Sequence, residues 1–351
     1  MPESDPDVDV ANAIEETRRE VKYFASDYPI ETLVRRFKED DPGEGDIYIP
    51  GYQRTMQWNN DRKSYFIESC ILRIPVPPIF FYEVGGRFEV VDGSQRIRTL
   101  VQFVDNRFVL DKLEKLDVLN GFRFRDLPPS VAKRLLNSSI RTFILEEGTD
   151  ETTRVELFRR INTSSQALTD AEIRKGAYQG PFLDLVLDCA NRQIFVDLAP
   201  GKSTRGNRDK ESERQELVTR FFIYLNYLNE FSHDVRRFLD EHLKLLNRTL
   251  QAANIEEMSA EFDSVMAFIQ TYMPRAFFRA ENTQQVPRVR FEAVAVGSAL
   301  AMRTGANLNT EDLSWLRGAE FQQHVRTDAS NSGPKLRARV GFVRDKLIGA
   351  A

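Results

Sequence analysis

The sequence has little of what metal and redox chemistry usually need. It holds two cysteines, Cys70 and Cys189, far apart and in no paired motif. That excludes a disulfide scaffold and fits a reducing compartment. It holds three histidines, His233, His242 and His324. They are scattered, so the compact histidine motifs of metal nucleases are missing. No run of about 18 apolar residues occurs, so no membrane partner is expected. The acidic start, MPESDPDVDV, is neither basic nor apolar. A secretory leader is therefore not expected, and the location expected is cytoplasmic. Formal net charge is −4, which excludes a nucleic-acid binder that is basic throughout; contact with DNA would need a local patch.

What is present is enough for a sizeable core. The chain has 351 residues, 41 % of them hydrophobic, with 25 phenylalanines. That length predicts more than one domain. Residues 11–39 read as helical with a break at Pro29. Ile47-Tyr48-Ile49 reads as a short strand, and Asn59 or Asn60 caps a helix running to Leu72. Pro75-Val76-Pro77-Pro78 forces an extended connection. Two strands, 79–84 and 87–91, flank the hairpin signal Gly85-Gly86. The second strand feeds Asp92-Gly93, and from Ser94 onward the apolar spacing is helical. Short strands are predicted at 107–110 and 122–124, a helix at 130–136, a strand at 140–145 and a helix at 152–161. Thr169-Asp170-Ala171-Glu172 is a capping box. Beyond it helices are predicted at 180–190, 211–230, 232–250, 256–280, 288–304 and 334–348. The organisation expected is α+β. A 1–28 extension precedes a mixed domain over 29–168, and an all-α domain follows over 169–351.

The sharpest chemical feature is the turn Asp92-Gly93-Ser94-Gln95-Arg96. A glycine between strand and helix lets backbone N–H groups point outward together, where they and the helix dipole attract phosphate. Arg96 can grip phosphate bidentately, and Arg98 adds charge. Asp92 is the expected catalytic and Mg²⁺-binding carboxylate, and Gln95 the residue that orients an attacking water. The plainer alternative is that Asp92 and Ser94 only cap the helix. Gln53-Arg54 with Trp58 offers a second phosphate contact, or else a packed loop. Asn162 and Thr163 end a helix, as a simple cap or as ligand contacts. The basic residues Lys335, Arg337, Arg339 and Arg344, with Arg288 and Arg290 as companions, are the expected DNA-backbone patch, or else an ordinary solvated face.

Taken together, these segments resemble the N-terminal domain of GmrSD-type modification-dependent restriction enzymes and SspE-like phage-defence proteins. The resemblance rests on Tyr52-Gln53-Arg54…Trp58, Pro75-Val76-Pro77-Pro78, Asp92-Gly93-Ser94-Gln95-Arg96, Phe158-Arg159-Arg160-Ile161-Asn162-Thr163 and Leu168-Thr169-Asp170-Ala171-Glu172-Ile173-Arg174. Ser94 departs from the family, which has glutamine there. The resemblance implies a ParB/sulfiredoxin-like fold and nucleoside triphosphate bound at 92–96 by Asp92, Gln95 and Arg96. Gln53, Arg54, Gly93, Ser94, Arg98, Asn162 and Thr163 would surround it, and Glu172 and Arg174 would brace it. It further implies hydrolysis with Mg²⁺, coupled to DNA and to a nuclease or defence partner. In such proteins the nuclease is a separate HNH domain with clustered histidines. Its absence is expected here, leaving an NTPase that gates a partner, with an oligomer left open. A non-hydrolysing DNA and nucleotide adaptor is the alternative. The third is a carboxylate-metal nuclease using Glu292 or Asp328.

Overall fold

The computed structural model describes residues 22–37, 45–50, 58–148, 156–157, 160–161, 169–201, 207–280, 283–326 and 332–349. The chain divides into two compact units, Met1–Ala167 and Leu168–Ala351.

The first unit is built on a five-stranded mixed sheet. Its strands are β1 (Tyr23–Pro29), β2 (Ile47–Tyr48), β3 (Ile79–Val84), β4 (Arg87–Asp92) and β5 (Ser139–Leu145), in the order β1-β5-β3-β4-β2. β1 runs antiparallel to β5, and β5 parallel to β3. The β3–β4 hairpin closes on Gly85 and Gly86, both at positive φ, as the two-glycine signal demands. Among the described residues the sheet is accompanied by the helices α1 (Ile30–Arg36), α2 (Asn60–Leu72), α3 (Ser94–Val104) and α4 (Pro129–Asn137).

Alternation along the strands divides the apolar residues between the two faces. Ile79, Phe81 and Val90 join Leu33, Phe66, Ile67, Ile97, Leu100 and Phe103 in the main core. Tyr82, Val91 and Leu145 turn the other way, where Phe80, Leu157 and Ile161 pack on them. α2 is capped as its sequence predicts, with Asn59 Oδ1 accepting from the Arg62 N–H at 3.0 Å.

Two sequence expectations are corrected. Residues 23–29 are not helical; they pair over their whole length with β5, from Tyr23 opposite Leu145 to Pro29 opposite Ser139. Their aromatic content suits a strand edge, and long-range pairing overrides local helical spacing. The sheet therefore reaches back into the segment expected as an extension. Nor are 107–110 and 122–124 strands. Leu110 donates to the Phe122 carbonyl at 2.9 Å and accepts from Gly121 at 2.8 Å, and the pairing stops there. The 152–161 helix falls mostly outside the described residues; 156–157 and 160–161 are helical.

The second unit is helical: α5 (Asp170–Ala177), α6 (Pro181–Asn191), α7 (Gln193–Leu198), α8 (Asn207–Tyr227), α9 (Val235–Thr249), α10 (Ala252–Tyr272), α11 (Arg288–Arg303), α12 (Ala319–His324) and α13 (Gly333–Ile348). α11 is its central helix, buried from Val289 through Ala299. It meets α13 closely at Gly297, where a Cβ would stand 2.7 Å from the Val343 Cβ and 2.8 Å from the Val340 carbonyl oxygen. Only glycine fits there. Among the described residues no helix is long and apolar enough to cross a membrane.

Candidate functional site

Strand β4 ends at Asp92, and α3 begins at Ser94. Gly93 between them has φ 102° and serves as the N-cap without a side chain. A Cβ on Gly93 would stand 2.9 Å from Ile79 Cγ1, so the turn needs glycine for both conformation and space. The start of α3 therefore has no capping side chain from its cap residue, leaving the dipole end to other partners.

Arg96 is 8 % exposed, at the first turn of α3. Its Nη1 donates to the carbonyls of Pro77 at 2.6 Å and Pro78 at 2.7 Å. Its Nη2 donates to the Asp92 carboxylate, forming an ion pair. The Pro-Val-Pro-Pro connection, read in the sequence only as extended chain, thus presents two acceptors to Arg96. Proline carbonyls near a guanidinium leave no mark in a motif, so these partners were missed. Gln95 Oε1 accepts from the Trp58 backbone N–H at 3.2 Å, tying the start of α2 to the turn. Trp58 itself packs edge-on against Phe66, with the Arg62 guanidinium 4.9 Å from its ring centroid.

The structure thus brings together Asp92, Gly93, Ser94, Gln95 and Arg96. Arg98, two residues further along α3, is 1 % exposed. Gln53, Arg54, Asn162 and Thr163 lie outside the described residues, as does Asp328.

The helical unit holds the other residues named from the sequence. The capping box opening α5 forms, with Thr169 N–H donating to Glu172 Oε2 at 2.9 Å. Glu172 is thereby used as a cap. Arg174 is 2 % exposed; it donates to Asp240 at 2.7 Å and pairs with Glu216. Both partners belong to the helical unit. Arg339, expected on a DNA-facing patch, is 1 % exposed and reaches Glu292 at 2.5 Å. Glu292 also takes Arg220 at 2.6 Å, and Arg220 takes Glu216 at 2.8 Å. These six groups, three arginines and three carboxylates, form one buried chain of alternating charge across α5, α8, α9, α11 and α13. Burial alone would raise the Glu216 carboxyl, but Arg174 and Arg220 outweigh it and hold it far below the usual carboxylate range. Glu292, enclosed between two arginines, is unsuited to the metal-nuclease role considered for it. Of the remaining basic residues of α13, Lys335 is exposed, Arg337 donates to the Phe231 carbonyl at 3.1 Å, and Arg344 pairs with Asp345 at 2.7 Å.

Among the described residues no group of three or more His, Cys, Asp or Glu could hold a metal. Both thiols are buried, and burial pushes each up to about 12, which removes them from nucleophilic chemistry at neutral pH.

Residues 30–179 match the family model described as the GmrSD restriction endonuclease N-terminal domain. The match covers rather less than half of the chain. It takes in the sheet from α1 onward, the 92–96 turn, and α5 of the helical unit. No curated protein matches the chain. Over residues 30–179, then, the chain is similar to the N-terminal domain of the GmrSD restriction endonuclease.

Proposed function

We propose that the 92–96 turn is a nucleoside-triphosphate site, and that the chain is the nucleotide-hydrolysing component of a restriction or anti-phage system. The observation that supports it best is the pairing of Arg96 with Asp92 beside a helix start whose cap residue is glycine. Phosphate oxygens would lie against the α3 N–H groups, favoured by the helix dipole. They would compete with Asp92 for Arg96 Nη2, while Nη1 stays on the two proline carbonyls. Release from Arg96 would leave the Asp92 carboxylate able to hold Mg²⁺ through water. A single carboxylate fits this ion, which keeps most of its waters and takes phosphate oxygens besides. Mg²⁺ would supply charge neutralisation between the outer phosphates. Gln95 would orient the attacking water. The water oxygen bonds to the terminal phosphorus, the bond to the bridging oxygen breaks, and the products are nucleoside diphosphate and phosphate.

The domain's family is one of restriction endonucleases, and on that basis we assign the hydrolysis a role in gating DNA binding or a partner nuclease. Comparing hydrolysis of the four NTPs by wild type and by Gln95→Ala, with and without DNA, tests the reading. DNA-sensitive turnover that Gln95→Ala abolishes supports it.

One observation favours a second reading, a nucleotide and DNA adaptor without turnover. Arg96 satisfies three acceptors within the protein itself. In that case nucleotide raises the melting temperature and is recovered unhydrolysed.

A further inference from the structure

The helical unit has a concave site of its own. Residues 275–290 contain Arg275, Arg279, Arg288 and Arg290 against a single acid, Glu281. Beside this stretch lies a cavity of about 400 Å³ lined by Arg279, Gln285, Arg290, Gln322 and Arg326. Among the described residues no carboxylate lines it. Arg290 is 1 % exposed. Its Nε donates to the Ala276 carbonyl at 2.6 Å and its Nη2 to the Leu316 carbonyl at 3.0 Å. Its Cζ stands 4.9 Å from the Phe321 ring centroid. Its Nη1 is buried with no hydrogen-bond partner.

A guanidinium this deep ordinarily meets a carboxylate, because neutral carbonyls leave its charge uncompensated. Arg174, Arg220 and Arg339 of the same unit all do so. Arg290 does not. Burial first, and Arg317 beside it second, pull its pKa down to about 10, which still leaves it charged at neutral pH. Arg279 and Arg326 are exposed and have no ion-pair partner among the described residues.

We propose that this cavity binds a phosphate group, with Arg279 and Arg326 gripping its oxygens over the fixed charge of Arg290. Forked, weakly hydrated guanidinium groups suit a tetrahedral oxyanion, and the Gln285 and Gln322 amides add neutral donors. The volume is that of a small-molecule site and exceeds what one phosphate fills. The phosphate therefore carries a further group, either a nucleoside or the adjoining sugars of a DNA strand. This site lies in the helical unit and does not depend on the 92–96 turn.

Calorimetric titration of the full chain with inorganic phosphate, adenosine monophosphate and a short DNA duplex at matched ionic strength tests it. Arg96→Lys, which weakens the separate 92–96 site, should leave phosphate binding at this cavity in place. Arg279→Gln/Arg326→Gln should lose about tenfold or more in affinity, the effect of removing charge-assisted hydrogen bonds. Because both side chains are exposed, the melting temperature of the double variant should be unchanged. Duplex binding that phosphate displaces identifies the phosphodiester as the source. Tighter binding of the mononucleotide with none of the duplex identifies a small ligand. Absence of phosphate binding by wild type, or undiminished binding by the double variant, overturns the proposal.

Discussion

The guanidinium of Arg96 spans the mouth of the glycine turn to the carboxylate of Asp92, four residues earlier, while holding the Pro77 and Pro78 carbonyls with its other terminal nitrogen. Arg96 is thus a structural tie as well as a phosphate ligand in the proposed mechanism. Arg96→Ala strips one donor group from three acceptors in a largely buried place. A loss of about 2–4 kcal/mol in urea denaturation is expected. Arg96→Lys keeps the charge but not the fork, and should lose less. If Arg96→Ala unfolds at the wild-type midpoint, the tie contributes nothing.

Gly93→Ala should cost about 1–3 kcal/mol, because the new Cβ meets buried Ile79 in a left-handed backbone conformation. The same variant should weaken any ligand held at the α3 start. A wild-type melting curve for Gly93→Ala would show that the turn adapts.

Glu68 gives a pH prediction. Burial alone would raise its carboxyl; the N–H groups of Lys115, Leu116 and Glu114 outweigh that and hold it below the ordinary 4.5. They lie at 2.7, 2.7 and 3.3 Å. With the folded value depressed, this stabilisation is complete above the unfolded value and is lost as pH falls through the folded one. Glu68→Gln should cost about 1–3 kcal/mol at neutral pH and flatten the acid limb of the stability curve. Equal losses for the variant at pH 7 and pH 3 would contradict this account.

In the helical unit, Arg339→Met leaves Glu292 with one of its two arginines. A loss of about 3–5 kcal/mol is expected. Lys335→Ala, at an exposed position of the same helix, should stay within about 0.5 kcal/mol. Thermal denaturation of the two variants side by side checks the contrast, and similar melting temperatures would refute a structural role for Arg339.

The strands, hairpin and glycine turn of the first unit could be read from the sequence because each rests on local chemistry, such as Gly85-Gly86 between apolar runs or Asn59 before a helix. β1 could not, since its pairing partner lies more than a hundred residues away. The basic residues of 335–346 looked alike in the sequence. Only the fold separates buried Arg339 from exposed Lys335, because Glu292 reaches Arg339 from another helix. The bond from Arg96 to Pro77 and Pro78 involves backbone carbonyls, which no side-chain pattern announces.

Everything proposed for the first unit depends on nucleoside triphosphate being bound and hydrolysed at the 92–96 turn. The most direct measurement is phosphate release from each of the four NTPs with Mg²⁺ by wild type, Gln95→Ala and Arg96→Lys, all shown to be folded by circular dichroism. Turnover by wild type is expected, with a fall of at least about a hundredfold in both variants, in the range for loss of a positioned catalytic group. Wild-type turnover that both folded variants retain would contradict it.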